Sequence, residues 1–402
     1  MARSGSEAAG TMGTMSPHRP IRVCFPFVGD LVGGSHISAR DLIHGIDRRR
    51  FDPFILVQKG DGVMARFFKD VGVPIEVAPP SAELDHGARI GPFRAVSLAG
   101  RALSLAAYLR QQNVAIVHSN DGRTHATWAL AARLSGAKLL WHHRGAPDAA
   151  GLRYAAPLLA NRVVAVSRFA APRQGALSAA GRTDVVHSPF DTSACHDRQD
   201  ARAAILASIE KPATSRLIGF SGAFIDRKRP LLFVEAIAEL RRNAPDLDAQ
   251  GLMFGEGLDG LDVAVGVLAE RLGVRQAIHQ MGFRTPGAFW LAGCDLLMVP
   301  AVQEPFGRTL IEAMLAGTPV VATASGGNVE AISDGETGRL VPPENPLALA
   351  QACASLLCDP QAYAAIAATA RAEALTKFGQ ARHVEAIMAI YDDMILGRRK
   401  AA

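Results

Sequence analysis

Two glutamates, Glu304 and Glu312, stand eight positions apart in the segment EPFGRTLIEAMLAGTP. A helix-prone run, Thr309 to Ala316, follows the first one and ends at Gly317 and Pro319, which are ordinary helix stop signals. Glu304 is therefore expected in a loop at the start of a helix, and Glu312 inside that helix. The start of a helix carries unpaired N–H groups and partial positive charge, which favour a phosphate group. Carboxylates beside such a site can accept hydrogen bonds from hydroxyl groups of a sugar and a ribose.

This segment and the one that follows it, VVATASGGNVEAISDGETGRLVPP, resemble the retaining glycosyltransferases of the GT-B fold, family 4 (glycosyl transferases group 1). The resemblance implies that Glu304 holds the transferred sugar and Glu312 the ribose of a nucleotide. It also implies that the backbone of Phe306, Gly307 and Arg308 faces the sugar and the diphosphate. Without the neighbouring motifs, two glutamates at this spacing would indicate only a solvated helix face.

Apolar strands, glycine turns and amphipathic helices alternate along the chain, which predicts parallel sheets with right-handed crossovers. The predicted fold class is α/β, with two Rossmann-like domains and the ligand cleft between them. The polar stretch 192–215 is interpreted as the connection between the domains. The predicted parts, in chain order, are a disordered lead-in (1–19), an acceptor domain (20–195), a nucleotide-sugar-binding domain (215–380), and a C-terminal helix (381–402) that the resemblance implies crosses back to the first domain.

In open parallel sheets, ligands bind at the carboxyl ends of the strands, so residues just after predicted strands are further candidates. Gly33 and Gly34 follow the first strand. They could form a simple tight turn or, as the resemblance implies, approach the donor phosphate and the acceptor. His142 and His143 follow a later strand, and the resemblance implies that one of them contacts the sugar or its phosphate. The sequence leaves this choice open, although the end of the strand favours His142.

The segment SGAFIDRKRP, residues 221–230, follows the first strand of the second half. The resembling family usually has Gly-Arg here and a lysine a few residues later, and both cations hold the diphosphate. Lys228 matches the lysine, whereas Ala223 stands in place of the arginine. Arg227 or Arg229 could supply the missing charge, because a guanidinium can bridge two phosphate oxygens.

Two more glycine turns follow strands of the second half. The resemblance implies that Gly255 lies beside the nucleotide phosphates and that the backbone around Phe283 pairs with the edge of the base. The alternative is that both are ordinary turns. Glu330 could touch the ligand, but an acid in the first turn of a helix is the favoured interpretation.

Several classes of function are not supported by the sequence. It has no Walker loop, His-Glu-x-x-His or Gly-x-Ser-x-Gly motif. The histidines lack partners at metal-ligand spacing, and the pair Asp246 and Asp248 falls in a polar turn, so neither a metal nor a cofactor is expected. A formal net charge of +5 is too small to indicate nucleic-acid binding, although it allows loose contact with an anionic membrane surface.

Cellular location is suggested by three features of the sequence. The five cysteines are scattered without a Cys-x-x-Cys pair, which is typical of a reducing compartment. No apolar run approaches the ~20 residues of a membrane-spanning helix. Residues 1–19 lack the apolar middle of a signal peptide. We therefore expect a cytoplasmic protein that is at most peripheral on the inner face of the plasma membrane.

The expected activity is transfer of a sugar from a nucleotide-diphosphate sugar to an acceptor hydroxyl, with retention of the anomeric configuration. Glu304, His142 and Lys228 are the predicted catalytic residues. The expected acceptor is a glycan, a lipid-linked molecule or a small molecule, and analogy with the family suggests cell-surface polysaccharide or lipopolysaccharide synthesis. The alternatives are a sugar-nucleotide epimerase or phosphorylase on the same scaffold, or a non-catalytic nucleotide-sugar binder.

Overall fold

The computed structural model describes residues 19–80, 92–194 and 196–398. Nearly all of the predicted lead-in, residues 1–18, therefore lies outside the described residues. Two fully parallel sheets form the framework, as the alternation of strands and helices predicts. Long runs of buried apolar residues make their strands, which is typical of parallel sheets covered by helices on both faces.

The first sheet has seven strands, and helices connect most of them. Its strands are β1 (Ile21–Pro26), β2 (Phe51–Val57), β3 (Ile75–Val77), β4 (Ile116–Ser119), β5 (Lys138–His143), β6 (Arg162–Ala165) and β7 (Thr183–Val185). Their spatial order is β3-β2-β1-β4-β5-β6-β7. The helices of this half are α1 (Gly34–Gly45), α2 (Val63–Phe67), α3 (Pro92–Gln111), α4 (Gly122–Ser135) and α5 (Ala156–Leu159).

The second sheet has six strands in the order β10-β9-β8-β11-β12-β13. They are β8 (Arg216–Ser221), β9 (Ala249–Phe254), β10 (Ile278–Gly282), β11 (Leu296–Val299), β12 (Val320–Thr323) and β13 (Arg339–Val341). The remaining helices are α6 (Arg198–Ile209), α7 (Pro230–Asn243), α8 (Leu261–Arg271), α9 (Gly287–Ala292), α10 (Arg308–Leu315), α11 (Asn328–Ala331), α12 (Pro346–Cys358), α13 (Pro360–Lys377) and α14 (Gln380–Ile395).

The stretch interpreted as a polar connection, 192–215, contains helix α6. The Asp197 side chain caps this helix by accepting hydrogen bonds from the backbone N–H groups of Gln199 and Asp200. Ile205 on the helix is fully buried in a core cluster with residues of β8 and β9. The second structural unit therefore extends upstream of residue 215, because α6 packs on its sheet.

Helix α14 packs against the first sheet, although it follows the second one in the chain. Its buried residues Ile387 and Tyr391 share a core cluster with Val23 and Phe51 of the first sheet. The chain thus crosses between the two units twice. Among the described residues, no helix has the length and apolar character needed to span a bilayer.

Candidate active site

The carboxyl ends of the two sheets face each other across a cleft. Arg308 at the start of α10 donates from Nη1 to the Ser38 hydroxyl on α1 (2.8 Å) and to the Pro189 carbonyl (3.0 Å). Ser167, just after β6, donates to the carbonyl of Pro305 in the loop before α10. These contacts bring together the loops that the sequence identified as candidates in both halves of the chain.

Glu304 lies in the loop between β11 and α10 and is only 7% exposed. Its carboxylate pairs with Lys228 Nζ at 3.3 Å and with Arg227. Burial acts to raise the pKa of this carboxyl, but Lys228 and Arg227 outweigh it and hold the pKa below its ordinary value. Glu304 is therefore a buried carboxylate with two cations beside it.

Of the two arginines that the sequence left open, only Arg227 contacts Glu304. Arg229 is turned away: its Nε lies 2.7 Å from Glu344 Oε1 and its Nη1 lies 2.6 Å from Asp226 Oδ1. Arg229 is the N-cap residue of α7 and has a positive φ of 53°. The geometry thus places Arg227, not Arg229, beside the predicted sugar-binding glutamate.

The glycine turns after β8 and β9 pack directly on each other. Gly255 has a φ of +139°, and a Cβ atom there would lie 2.1 Å from the carbonyl oxygen of Gly222. The aliphatic part of Lys228 covers Gly222, with Cε 3.1 Å from the position of a Cβ atom. Packing alone therefore requires glycine at position 255, and the predicted contact with phosphate remains a prediction.

The start of α10 combines a backbone turn with an ion pair. Gly307, the N-cap residue, has a φ of +69°, which glycine adopts without strain. Arg308 Nη2 lies 3.4 Å from Glu312 Oε1, one helical turn later. The Phe306 ring is buried and stacks on His187, with ring centroids 4.8 Å apart. Because the ring is buried, only the backbone of Phe306 is available for the predicted contact with the sugar and the diphosphate.

Phe283 follows β10 and is 74% exposed. In the first half of the chain, the backbone N–H of Gly33 donates to Nδ1 of His36 (3.0 Å). Gly34 faces α10, since a Cβ atom on it would lie 3.0 Å from Arg308 Cδ. The predicted Gly33-Gly34 loop therefore lies against the start of α10, where the diphosphate is expected.

The two adjacent histidines have different environments. His143 Nε2 hydrogen-bonds to the carbonyl of Ala146 in its own loop (2.8 Å). His142 is fully buried, and its Nδ1 lies 3.0 Å from His118 Nε2 and 3.4 Å from Arg144 Nη2. Burial lowers the pKa of His142 well below its usual range, and the charge of Arg144 adds to this, so the ring is neutral.

Hydrogen bonding fixes which nitrogen of His142 carries the proton. A guanidinium can only donate, so Arg144 requires a lone pair on His142 Nδ1. His118 then donates from Nε2 to that nitrogen, and the hydroxyl of Tyr391 on α14 donates to His118 Nδ1. His142 therefore carries its proton on Nε2, a buried donor that has no partner among the described residues.

Sequence reasoning missed the connections between these side chains. Tyr391 and His118 are 273 positions apart, and no local pattern links them. Glu330 was favoured as a simple helix-start acid. It does lie in the first turn of α11, but its carboxylate also accepts hydrogen bonds from the backbone N–H groups of Arg168 and Phe169, both 2.8 Å long. Glu330 thus forms hydrogen bonds that connect the second domain to the first.

Within the described ranges, no group of three or more histidine, cysteine or acidic side chains is arranged to hold a metal ion. Asp248, of the Asp-x-Asp pair in the polar turn, accepts hydrogen bonds from Ser215, Arg241 and Gln250. Its carboxylate therefore has a structural role at the end of the sheet.

Comparison with known proteins gives the family of the second domain. Residues 215–359 match the family model described as Glycosyl transferases group 1. This segment is a glycosyl transferases group 1 domain. It contains Glu304, Glu312 and Lys228, whereas Gly33 and His142 lie outside the matched residues.

Individual relatives agree with this assignment of the glycosyl transferases group 1 domain. The chain is 32% identical over 228 residues to a D-inositol 3-phosphate glycosyltransferase of Salinispora arenicola, covering 53% of this chain and 50% of the relative. It is 35% identical over 162 residues to the protein of that name from Streptomyces coelicolor, covering 38% and 35%. The chain thus spans about half the length, or less, of the curated relatives that it matches.

A solved structure extends the likeness to the whole fold. HepE of Anabaena, crystallised with UDP-glucose, superposes with a TM-score of 0.77 at 21% identity, covering 93% of this chain and 100% of that protein. The glycosyl transferases group 1 domain is therefore the second half of a two-domain GT-B fold, as predicted.

Proposed function

We propose that this protein is a retaining glycosyltransferase that moves a sugar from a nucleotide-diphosphate sugar to an acceptor hydroxyl. The observation that carries the proposal is the buried Glu304 carboxylate, paired with Lys228 and Arg227 beside the start of α10. A carboxylate, two cations and a helix N-terminus in one place suit a sugar joined to a diphosphate.

Donor binding would exchange the partners of these charges. In the free protein both cations lie beside the Glu304 carboxylate, whose single negative charge leaves one positive charge uncompensated. The diphosphate offers them stronger anionic oxygens, and Glu304 is then free to accept hydrogen bonds from the hydroxyl groups of the sugar. Glu312, whose side chain is about one quarter exposed, is the proposed hydrogen-bond partner of the ribose. The exposed segment around Phe283 is the proposed partner of the base.

The bond from the sugar to the diphosphate breaks in the transferring step, and negative charge grows on the leaving group. Lys228, Arg227 and the N–H groups at the start of α10 would stabilise that charge, because they are in place before the reaction. The Nε2–H of His142 would donate to an oxygen of the sugar or its phosphate. The acceptor hydroxyl would attack the same face, and its proton would pass to the departing phosphate.

The proposal extends to the acceptor and the pathway. The curated relatives are named for transfer to D-inositol 3-phosphate, so a phosphorylated polyol is one candidate acceptor. A role in cell-surface polysaccharide or lipopolysaccharide synthesis, and loose contact with a membrane surface, rest on the resemblance of the motifs alone.

A donor screen tests the proposal. Thermal unfolding of the full chain would be measured with a panel of nucleotide sugars and the matching nucleoside diphosphates. The stabilising donor would then be incubated with candidate acceptors, and the anomeric configuration of the product followed by proton NMR. We expect one donor to stabilise the protein and the product to keep the donor's configuration. An inverted product, an epimerised donor without transfer, or binding without turnover would each overturn the proposal.

A further inference from the structure

His36 on α1 carries a buried donor next to the Gly33-Gly34 loop. The ring is 4% exposed. Its Nδ1 accepts a hydrogen bond from the backbone N–H of Gly33 (3.0 Å), so the proton of the neutral ring is on Nε2. This Nε2 lies 3.8 Å from Asp121 Oδ2, beyond hydrogen-bonding distance, and has no other partner in the described part of the chain.

Arg144, after β5, contributes a second donor of this kind. Its Nη1 donates to the Ser188 hydroxyl (3.0 Å), but its Nε–H is buried without a partner among the residues described. Burial, reinforced by the charge of Arg308, lowers the pKa of Arg144 to about 9, so it remains a cation at neutral pH. Arg144 lies close enough to His36 for its charge to contribute to the lowered pKa of that ring, which burial mainly causes.

Arg123, in the first turn of α4, adds a second cation. Its guanidinium lies over the loop that leads to His36, since a Cβ atom on Gly29 would be 2.3 Å from Nη1. The guanidinium makes no hydrogen bond or ion pair within the residues that the structure describes. The Asp121 carboxylate caps α4 by accepting from the backbone N–H groups of Arg123 and Thr124, and it brings one negative charge to this position.

The unsatisfied groups at this position are therefore mainly donors, and the two arginine cations outnumber the single Asp121 carboxylate. Buried donors without partners are costly, and an oxygen-rich anion would satisfy several of them at once. Asn120, the neighbour of Asp121, supplies a buried and unpartnered acceptor, Oδ1, which suits a hydroxyl group. An anion that also carries hydroxyl groups matches this set.

We propose that His36, Arg123 and Arg144 form a subsite for a phosphate group on the acceptor. The proposal rests on the transferase function proposed above. A tetrahedral phosphate offers oxygens to donors from several directions, as these three side chains require. The diphosphate of the donor is the other source of the same chemistry, but the second domain already supplies Arg227 and Lys228 for it, on the other side of the cleft.

Calorimetric titration of the full chain with inorganic phosphate, glycerol 3-phosphate and glycerol tests the subsite. We expect the two phosphates to bind at one site per chain and glycerol not to bind. The titrations are repeated with the protein saturated by the nucleoside diphosphate found in the donor screen. Unchanged phosphate binding supports an acceptor subsite, whereas competition assigns the anion to the donor site and overturns the proposal. Phosphate binding without any donor binding would instead overturn only the transferase function.

Variants separate the subsite from general charge effects. Arg123→Ala should weaken glycerol 3-phosphate binding by about tenfold or more, because a charge-assisted hydrogen bond is lost. Arg133→Ala removes an exposed arginine from the same helix and should change nothing. Equal losses in both variants, or no loss in Arg123→Ala, would overturn the proposal.

Two substitutions of His36 test the donor atom itself. His36→Gln keeps an N–H donor near the position of Nε2 and should retain binding. His36→Asn keeps only an acceptor near the position of Nδ1, which can still bind the Gly33 N–H. Its affinity for glycerol 3-phosphate should fall about tenfold. The same affinity in both variants would contradict a role for the Nε2–H, and circular dichroism would check that both remain folded.

Discussion

The two halves of the cleft differ in how far their polar groups satisfy one another. In the second domain, the Glu304 carboxylate is paired with Lys228 and Arg227. In the first domain, His36 Nε2 and Arg144 Nε are buried without a partner among the described residues. A ligand must therefore displace existing ion pairs on one side of the cleft, and completes missing hydrogen bonds on the other.

This difference has consequences for affinity and for mutation. Where charges are already paired, the ligand gains only the difference between its own contacts and the ion pairs that it replaces. Removing the internal anion there should leave nucleotide affinity unchanged or increase it. Where donors are unpaired, a ligand recovers their full desolvation cost, so every removal should weaken binding.

Glu304→Gln should have the largest effect. The amide keeps the size of the side chain but removes the charge, so the sugar loses its anionic hydrogen-bond acceptor while Lys228 and Arg227 are freed for the diphosphate. We expect the transfer rate to fall about 100-fold or more, with unchanged or tighter binding of the nucleoside diphosphate. Initial rates and calorimetry measure the two quantities. Weaker nucleotide binding with an intact rate would reverse our assignment of this residue.

Arg227→Ala should reduce affinity for the nucleoside diphosphate by about 10- to 100-fold, the range of a charge-assisted hydrogen bond. Arg229→Ala is the matched control and should leave affinity unchanged, since Arg229 is held by Asp226 and Glu344. Ala223→Arg in the Arg227→Ala background restores a cation to this loop and should recover part of the loss. Similar losses in the two single variants would contradict a specific role for Arg227.

Glu312→Ala should weaken nucleotide binding by about tenfold, because the ribose loses a charged hydrogen-bond partner. The nucleotide itself provides the control. A dideoxynucleoside diphosphate lacks both ribose hydroxyl groups and should bind the variant and the unmodified protein equally. If the variant binds both nucleotides more weakly by the same factor, Glu312 acts through Arg308, its partner at 3.4 Å, and not through the ribose.

Much of the second-domain framework could be predicted from the sequence. The helix predicted at Thr309 to Ala316 is α10, Arg308–Leu315. Strong local signals explain this agreement, since Gly317 ends the helix with a φ of +72° and the flanking strands are fully buried apolar runs. Glu304 in the loop and Glu312 in the helix follow directly from those boundaries.

The rest could not be predicted because it depends on contacts between distant segments. Arg227 and Arg229 are two positions apart in the same basic run, yet Arg227 pairs with Glu304 and Arg229 pairs with Asp226 and Glu344. The proton position on His142 depends on His118 and, through it, on Tyr391 of the last helix. No spacing or composition in a single stretch of sequence carries that information.

The smallest expected effect concerns Asp41 on α1, in the first domain. Burial raises the pKa of its carboxyl to about 6, although Arg308 and Arg40 act to lower it. The folded-state pKa is thus above the unfolded value of about 3.9. Folding favours the protonated form. The contribution of Asp41 to the free energy of unfolding is therefore greatest below about pH 4 and is lost as the pH rises through 6.

Asp41→Asn imitates the protonated carboxyl at every pH. We expect the variant to exceed the unmodified protein in free energy of unfolding by about 1–2 kcal/mol at pH 7.5, after allowance for partial exposure, and to match it near pH 4. Urea denaturation at the two pH values measures this difference. Asp191→Asn is the control of opposite sign: hydrogen bonds from Ser193 lower the pKa of Asp191, so its removal should destabilise the protein at pH 7.5. The opposite result would be a free energy of unfolding, relative to the unmodified protein, that is lower for Asp41→Asn at pH 7.5 than at pH 4. It would mean that the surrounding arginines stabilise the ionised Asp41. The contrast between the two halves of the cleft would then not extend to this carboxylate.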